Sequence, residues 1–156
     1  GAEMTIQYRM NPFALPIEDL VVEFNRPITQ HSLVRNGFVA RFNRGLGHFI
    51  TPHMIEESPA FRTEDLFRNI AGVSVQSPGF GSDQIRLRTI GGALCDPLIY
   101  IDGVRSMSGA IGMTLGNLVP FNQISGIEIY RRPSEIPLEY GMGGTTFCGI
   151  IIVWTK

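Results

Sequence analysis

No stretch of this 156-residue chain keeps one hydrophobic period for long before a glycine or a proline breaks it, and that punctuation constrains the fold most. Eighteen Gly and ten Pro cut the sequence into short pieces. Gly supplies positive φ in turns and Pro cannot continue a helix or a central strand, so many brief elements are expected rather than long helices. The longest apolar run, residues 147–154, is strand-length and contains a Gly and a Cys. It falls far short of the roughly 18 residues that a membrane-crossing helix requires. Hydrophobic residues make up 44% of the chain, which argues against disorder. Charged residues make up only 17%, against roughly 25% in an ordinary soluble domain. A net charge of -1 argues against electrostatic capture of nucleic acid. Basic charge is carried by twelve Arg and one Lys, and Arg suits forked hydrogen bonds and interfaces better than Lys does. Codon bias in a GC-rich genome would produce the same excess. A cored domain with a charge-poor surface is the outcome.

The chain opens Gly1-Ala2-Glu3, without an initiator Met or a basic-then-apolar leader. It reads as a processed product or as the ordered part of something longer. Residues 4–10 alternate Met4, Ile6 and Tyr8 with Thr5, Gln7 and Arg9, a strand pattern. Pro12 and Pro16 bound a turn, and residues 17–24 form a second extended piece that Pro27 closes. Residues 1–28 are thus an extended β arm or linker, and residues 29–156 the main domain. From about Thr29 the period changes: Val34, Phe38 and Phe42 fall on one helical face that Gly45-Leu46-Gly47 ends. Arg41 and Arg44 complement the helix dipole there. With Arg35 they also mark a candidate basic docking surface. Thr51-Pro52 supplies an N-cap and a first-turn proline for a helix to about Glu57. Thr63-Glu64-Asp65 opens another, stopped by Gly72. Strands follow at Val73 and Val75, at residues 85–88, and at residues 98–101, which run into the tight-turn pair Asp102-Gly103. Residues 106–117 read as a loop, residues 119–124 as a helical turn, residues 127–130 as a strand, residues 134–139 as a short helix and residues 148–155 as the last strand. Helices and strands mix without strict alternation, so the class is α+β.

Catalytic motifs are missing from the sequence. There is no Gly-x-Ser-x-Gly elbow and no Lys-bearing phosphate loop. The pairs Gly45/Gly47, Gly79/Gly81 and Gly141/Gly143 are each followed by a non-glycine where a dinucleotide fingerprint needs its third Gly, which leaves them as turn glycines. His48 and His53, with Glu56 and Glu57 behind them, resemble a metal set only faintly, because zinc needs three or four converging ligands at patterned spacing. Adjacent acids such as Glu56-Glu57 and Glu64-Asp65 diverge on either kind of element and do not form a general acid/base pair. First-turn capping accounts for the last pair. No metal, cofactor or catalytic residue is expected. Cys95 and Cys148 each sit beside a predicted strand and could meet at the end of one sheet. A bond between them would close a loop of about 54 residues, worth about 4 kcal/mol in the loop-entropy account, and would need an oxidising compartment. Two buried thiols in a cytosolic domain fit the spacing equally well.

The second half carries an ordered series of motifs. They are Thr63-Glu64-Asp65-Leu66-Phe67-Arg68-Asn69-Ile70-Ala71-Gly72-Val73-Ser74-Val75, then Ile85-Arg86-Leu87-Arg88, then Tyr100-Ile101-Asp102-Gly103-Val104. Ile124-Ser125-Gly126-Ile127-Glu128-Ile129-Tyr130-Arg131-Arg132-Pro133, Tyr140-Gly141 and Gly149-Ile150-Ile151-Ile152-Val153-Trp154-Thr155-Lys156 follow. Together they resemble the plug domain of TonB-dependent outer-membrane receptors over roughly residues 47–156. Leu46-Gly47-His48-Phe49-Ile50-Thr51 and the two cysteines resemble a barrel-less subgroup in which the plug-like unit follows a small regulatory-type β domain. That likeness implies the Cys95–Cys148 disulfide and an extracytoplasmic, periplasmic address. Residues 17–23 resemble a TonB box, which makes Leu20, Val21, Val22 and Glu23 a candidate partner-binding strand; an ordinary strand or linker is the alternative. Arg132 stands where the family has Gly, and two extra residues precede Tyr140. A receptor continues into a many-stranded barrel, whereas this sequence stops where the plug ends, so the fold is expected to carry over and transport is not. The resulting expectation is a non-enzymatic interaction or scaffold protein with protein partners, an extrinsic subunit of a membrane complex such as a photosynthetic reaction-centre and antenna assembly or a respiratory one. A detached plug or signalling fragment that binds TonB or a ligand is the alternative.

Overall fold

A computed structural model describes residues 27–79, 83–106, 114–141 and 148–156. The expected strand at residues 4–10, the TonB-box-like residues 20–23, nearly all of the N-terminal arm and the Gly-rich turn before the last strand lie outside the described residues.

The predicted helix after Thr29 is two helices, α1 (His31–Arg35) and α2 (Phe38–Arg44). Gly37 between them takes φ 83°, a left-handed conformation that breaks the backbone ladder and resets the helical phase. The Asn36 side chain accepts the Phe38 amide at 3.1 Å and starts α2 afresh. As a result Leu33 and Phe38 are fully buried, whereas Val34, expected on the buried face, is 54% exposed. The Asn36-Gly37 pair is the turn signal that marks this break.

Strand β1 (His48–Ile50) leads into α3 (Pro52–Glu57), where Thr51 Oγ1 accepts the Met54 amide at 3.4 Å as the capping pattern predicts. The helix expected at Thr63 is a 3₁₀ helix, Thr63–Phe67, that buries Phe67. Next come β2 (Val73–Gln76), β3 (Gln84–Arg88) and β4 (Leu94–Cys95), an antiparallel three-stranded sheet. β5 (Leu98–Ile101) and β6 (Val104–Arg105) form the expected hairpin, with Asp102 and Gly103 both at positive φ as a type I′ turn requires. A four-residue helix, α4 (Leu115–Leu118), occupies the end of the stretch read as loop; Thr114 Oγ1 caps it by accepting the Asn117 amide. The 3₁₀ turn Phe121–Gln123 leads into β7 (Ile124–Tyr130), and a second 3₁₀ turn, Pro133–Glu135, precedes α5 (Leu138–Gly141) and β8 (Ile150–Thr155).

The larger sheet has the order β1-β7-β8-β5-β6, with β5 and β8 parallel and its other pairs antiparallel. The fold is α+β, as expected. β7 and β8 lie at its centre, and every residue of β7 is buried. Alternate residues therefore face two cores. Ile127, Ile129, Ile151 and Val153 join an aliphatic core that includes Phe67, Leu87 and Leu115. Tyr130, Ile150, Ile152 and Trp154 join an aromatic core beneath α1 and α2. At Gly126 the strand lies so close to α2 that a Cβ would stand 3.0 Å from the Phe38 ring.

Candidate partner-binding site

Glu128 is the one acid on β7, and it is completely buried on the face toward α2. Burying an isolated carboxylate would cost several kcal/mol, so the surrounding donors decide whether it is tolerated. Its Oε1 accepts from Arg41 Nη2 at 2.7 Å and Trp154 Nε1 at 2.6 Å. Its Oε2 accepts from Arg41 Nε at 2.8 Å and the Tyr130 hydroxyl at 2.6 Å. Arg41 also donates through Nη1 to Glu139 at 2.8 Å and through Nη2 to the Asn36 carbonyl at 3.1 Å. Its guanidinium lies 5.9 Å from the Tyr140 ring centre and 5.7 Å from that of Trp154. Burial by itself would lower the Arg41 pKa, but the bonds and charge of Glu128 outweigh it and raise the value. Burial, then the bond to Glu128, raises the Tyr130 pKa. Both groups are held in their protonated forms. The network joins α2, β7, β8 and α5 at one fixed geometry. Arg41 is therefore removed from the candidate basic docking surface: α2 turns it inward, while Arg35 and Arg44 remain exposed.

Two more carboxylates are buried. Glu64, read as a first-turn helix acid, reaches across to α4 and accepts the Gly116 amide at 2.7 Å, and beside it Thr63 Oγ1 donates to the Val119 carbonyl at 2.7 Å. Asp83 accepts from Arg62, from the Ser77 hydroxyl and, at 3.5 Å, from Arg68. Apart from Tyr130, two residues beyond Glu128 on β7, the partners of the three acids lie on other elements, so the local pattern does not mark the acids as buried. His53 Nε2 lies 3.2 Å from Glu57 across a turn of α3, while His48 sits apart on β1. Among the described residues, no three His, Cys, Asp or Glu side chains are grouped to hold a metal.

Cys95 and Cys148 form a disulfide with a Cα–Cα distance of 5.6 Å. They do not meet at the end of one sheet. Cys95 closes β4 of the smaller sheet and Cys148 lies in the turn before β8 of the larger one, so the bond links the two sheets. On the outer surface, Phe61 is 92% exposed and Leu138 is 90% exposed. Among the described residues no helix is long and apolar enough to cross a membrane.

Residues 48–146 match the family model described as TonB-dependent Receptor Plug Domain. No curated protein matches the chain. Among solved structures, the siderophore receptor PirA from Acinetobacter baumannii is 26% identical, with a TM-score of 0.50 and coverage of 70% of this chain and 17% of that one. FpvA of P. aeruginosa bound to heterologous pyoverdines is 16% identical, with a TM-score of 0.53 over 69% of this chain and 13% of that one. The FpvAI–pyocin S2 complex is 15% identical, with a TM-score of 0.53 over 70% and 14%. At such identities the last two are evidence of fold alone. The chain spans less than a fifth of the length of each of these receptors.

Proposed function

This chain belongs to the TonB-dependent receptor plug domain family, and on that premise we propose that it works outside the cytoplasm as a non-enzymatic interaction module docked on a membrane protein complex. The observation that carries the reading is how its polar and apolar groups are distributed. Arg41, Glu64, Asp83 and Glu128 are buried in fixed internal bonds, which suits them to hold a shape rather than to exchange protons with a substrate. Phe61 and Leu138 meanwhile face outward on a charge-poor chain, where contact with another protein would remove them from water. The disulfide suits a periplasmic or other extracytoplasmic setting. Gentle detergent extraction of native membranes, followed by gel filtration, is expected to keep the protein with a larger assembly, of which a photosynthetic reaction-centre and antenna complex or a respiratory complex is the proposed kind. Elution of the protein by itself overturns the proposal.

The likeness to the siderophore receptor PirA favours a second reading, a receptor-type plug that binds TonB or a ligand. Under it, the TonB periplasmic domain binds the chain and deletion of residues 20–23 abolishes binding. If TonB binds equally well without Leu20, Val21, Val22 and Glu23, that reading fails.

A further inference from the structure

Where α2 ends and the chain turns toward β1, a small half-open cavity of about 130 Å³ lies against the Pro133–Glu135 turn and α5. Tyr130 forms its floor, Leu46, Ile136 and Leu138 line it, and Arg44 stands at its rim. Its size restricts what can enter. The volume is below the roughly 300 Å³ at which small-ligand sites begin, and close to the roughly 150 Å³ cavity that admits a benzene-sized group. That is room for one side chain. The floor is rigid, because the Tyr130 hydroxyl is bonded to the buried Glu128. The lining mixes these apolar side chains with the polar groups of Arg44, Ser134 and Glu135, and its two leucines are left in water: Leu46 is 51% exposed and Leu138 almost wholly so. The charges around the opening are unequal. Arg41, on the inner side, is committed to Glu128 and Glu139. Glu135, at the edge, faces Arg132 at 3.8 Å. Arg44 makes no ion pair among the described residues, so its guanidinium is available to an incoming carboxylate in the forked geometry that Arg favours.

We propose that this cavity is the anchor point of the docking surface, receiving one apolar side chain of a partner protein while Arg44 binds an acidic residue beside it. The proposal rests on the docking reading above and names the chemistry of the partner segment. Partner contacts of this form concentrate affinity in one filled pocket with a polar rim.

The test uses two blocked heptapeptides with the chain in its oxidised form, each holding one central Leu flanked by Glu in one peptide and by Lys in the other. Titration followed by NMR is expected to shift the resonances of Leu46, Leu138 and Tyr130 with the Glu-flanked peptide. The Lys-flanked peptide should bind at least about tenfold more weakly, the equivalent of about 1.4 kcal/mol. Arg44→Glu should reverse that preference, Arg44→Gln should erase it, and Leu138→Asp should abolish binding of both peptides. These positions are exposed, and an unchanged melting temperature confirms that the variants fold. Equal binding of the two peptides, or binding indifferent to Arg44→Glu and Leu138→Asp, overturns the proposal. The two readings fail separately. If the native assembly copurifies unchanged with both variants, the anchor is overturned and docking stands. If the peptides bind as expected but no assembly copurifies, the anchor is supported and docking on a membrane complex is overturned.

Discussion

The two faces of β7 and β8 are built from alternate residues of the same strands, yet they are held by different forces. On one side Ile127, Ile129, Ile151 and Val153 meet other aliphatic side chains, and the contact is stabilised by area removed from water. Such packing is non-directional and accepts swaps of similar volume. On the other side Glu128, Tyr130 and Trp154 converge with Arg41 in bonds of 2.6–2.8 Å. These bonds specify angle as well as distance, and α2 can satisfy them in only one position. The aliphatic face supplies general cohesion; the charged face decides where the helical segment sits, and with it the cavity beside Arg44.

The most direct way to break this contrast is Glu128→Ala. It leaves the buried Arg41 guanidinium with only the exposed Glu139 as a counter-charge, and a loss of about 3–5 kcal/mol is expected in urea unfolding, to which the lost acceptor of Tyr130 and Trp154 contributes. Replacing both charges together, Arg41→Met with Glu128→Leu, should recover the part of that loss that comes from the unmatched Arg41 charge, since a matched apolar pair often equals a buried ion pair, while Tyr130 and Trp154 stay without their acceptor. If the double variant is no better than the single one, the two residues are not a matched unit. The disulfide tests whether the smaller sheet depends on the larger. Reducing the Cys95–Cys148 bond should lower the unfolding free energy by about 4 kcal/mol. Alkylation without reductant should leave the mass unchanged, and two modified thiols would refute the bond.

A smaller effect compares one methyl group added on the charged face with one removed from the aliphatic face. Gly126→Ala adds a methyl group 3.0 Å from the Phe38 ring, and about 1–3 kcal/mol should be lost through overpacking. Ile129→Val on the aliphatic face should cost about 0.5–1.5 kcal/mol. If the order is reversed, the charged face is the looser one. The smallest effects concern pH. Burial and then Arg131 lower the His48 pKa. The unfolded chain therefore takes up that proton first as pH falls, and stability declines through the ordinary His range near about 6.5. His48→Gln should flatten part of the decline between about pH 7 and pH 5. Tyr130 is shifted the other way: burial and Glu128 keep it protonated when folded, so its contribution is full below about pH 10 and is lost above it. Tyr130→Phe should remove that alkaline slope in a denaturant series.

Some of this was legible in residues that act on their neighbours. Thr51 before Pro52 and Asp102 before Gly103 each form a local structure whose partners lie within a few positions, and the apolar run into β8 has the length and pattern of a buried strand. The ordered motifs from Thr63 onward placed the plug resemblance over the region where the family match falls. The apolar spacing after Thr29 is compatible with one continuous helical face, and only the left-handed turn at Gly37 changes its phase. Arg41 carries no sign of its burial, since an arginine near a helix C-terminus has a sufficient explanation in the dipole. Glu128 offered no warning. Between Ile127 and Ile129 it has the alternation of a half-exposed strand, and only the cover of α2 on that side makes the position interior.

Where the chain turns, where its strands run and which family it resembles can be read from the amino acids, because each depends on backbone preferences and short-range pattern. Which charges are buried, which of them are matched, and which arginines are left to meet a partner follow only once the chain is folded. Arg41 and Glu128 are 87 positions apart. Whether a carboxylate costs several kcal/mol or holds a helix in place depends on donors that only the folded chain brings within reach. The shortage of surface charge has part of its explanation there: some of the few charges this chain has are inside it, fixing the shape of what faces out.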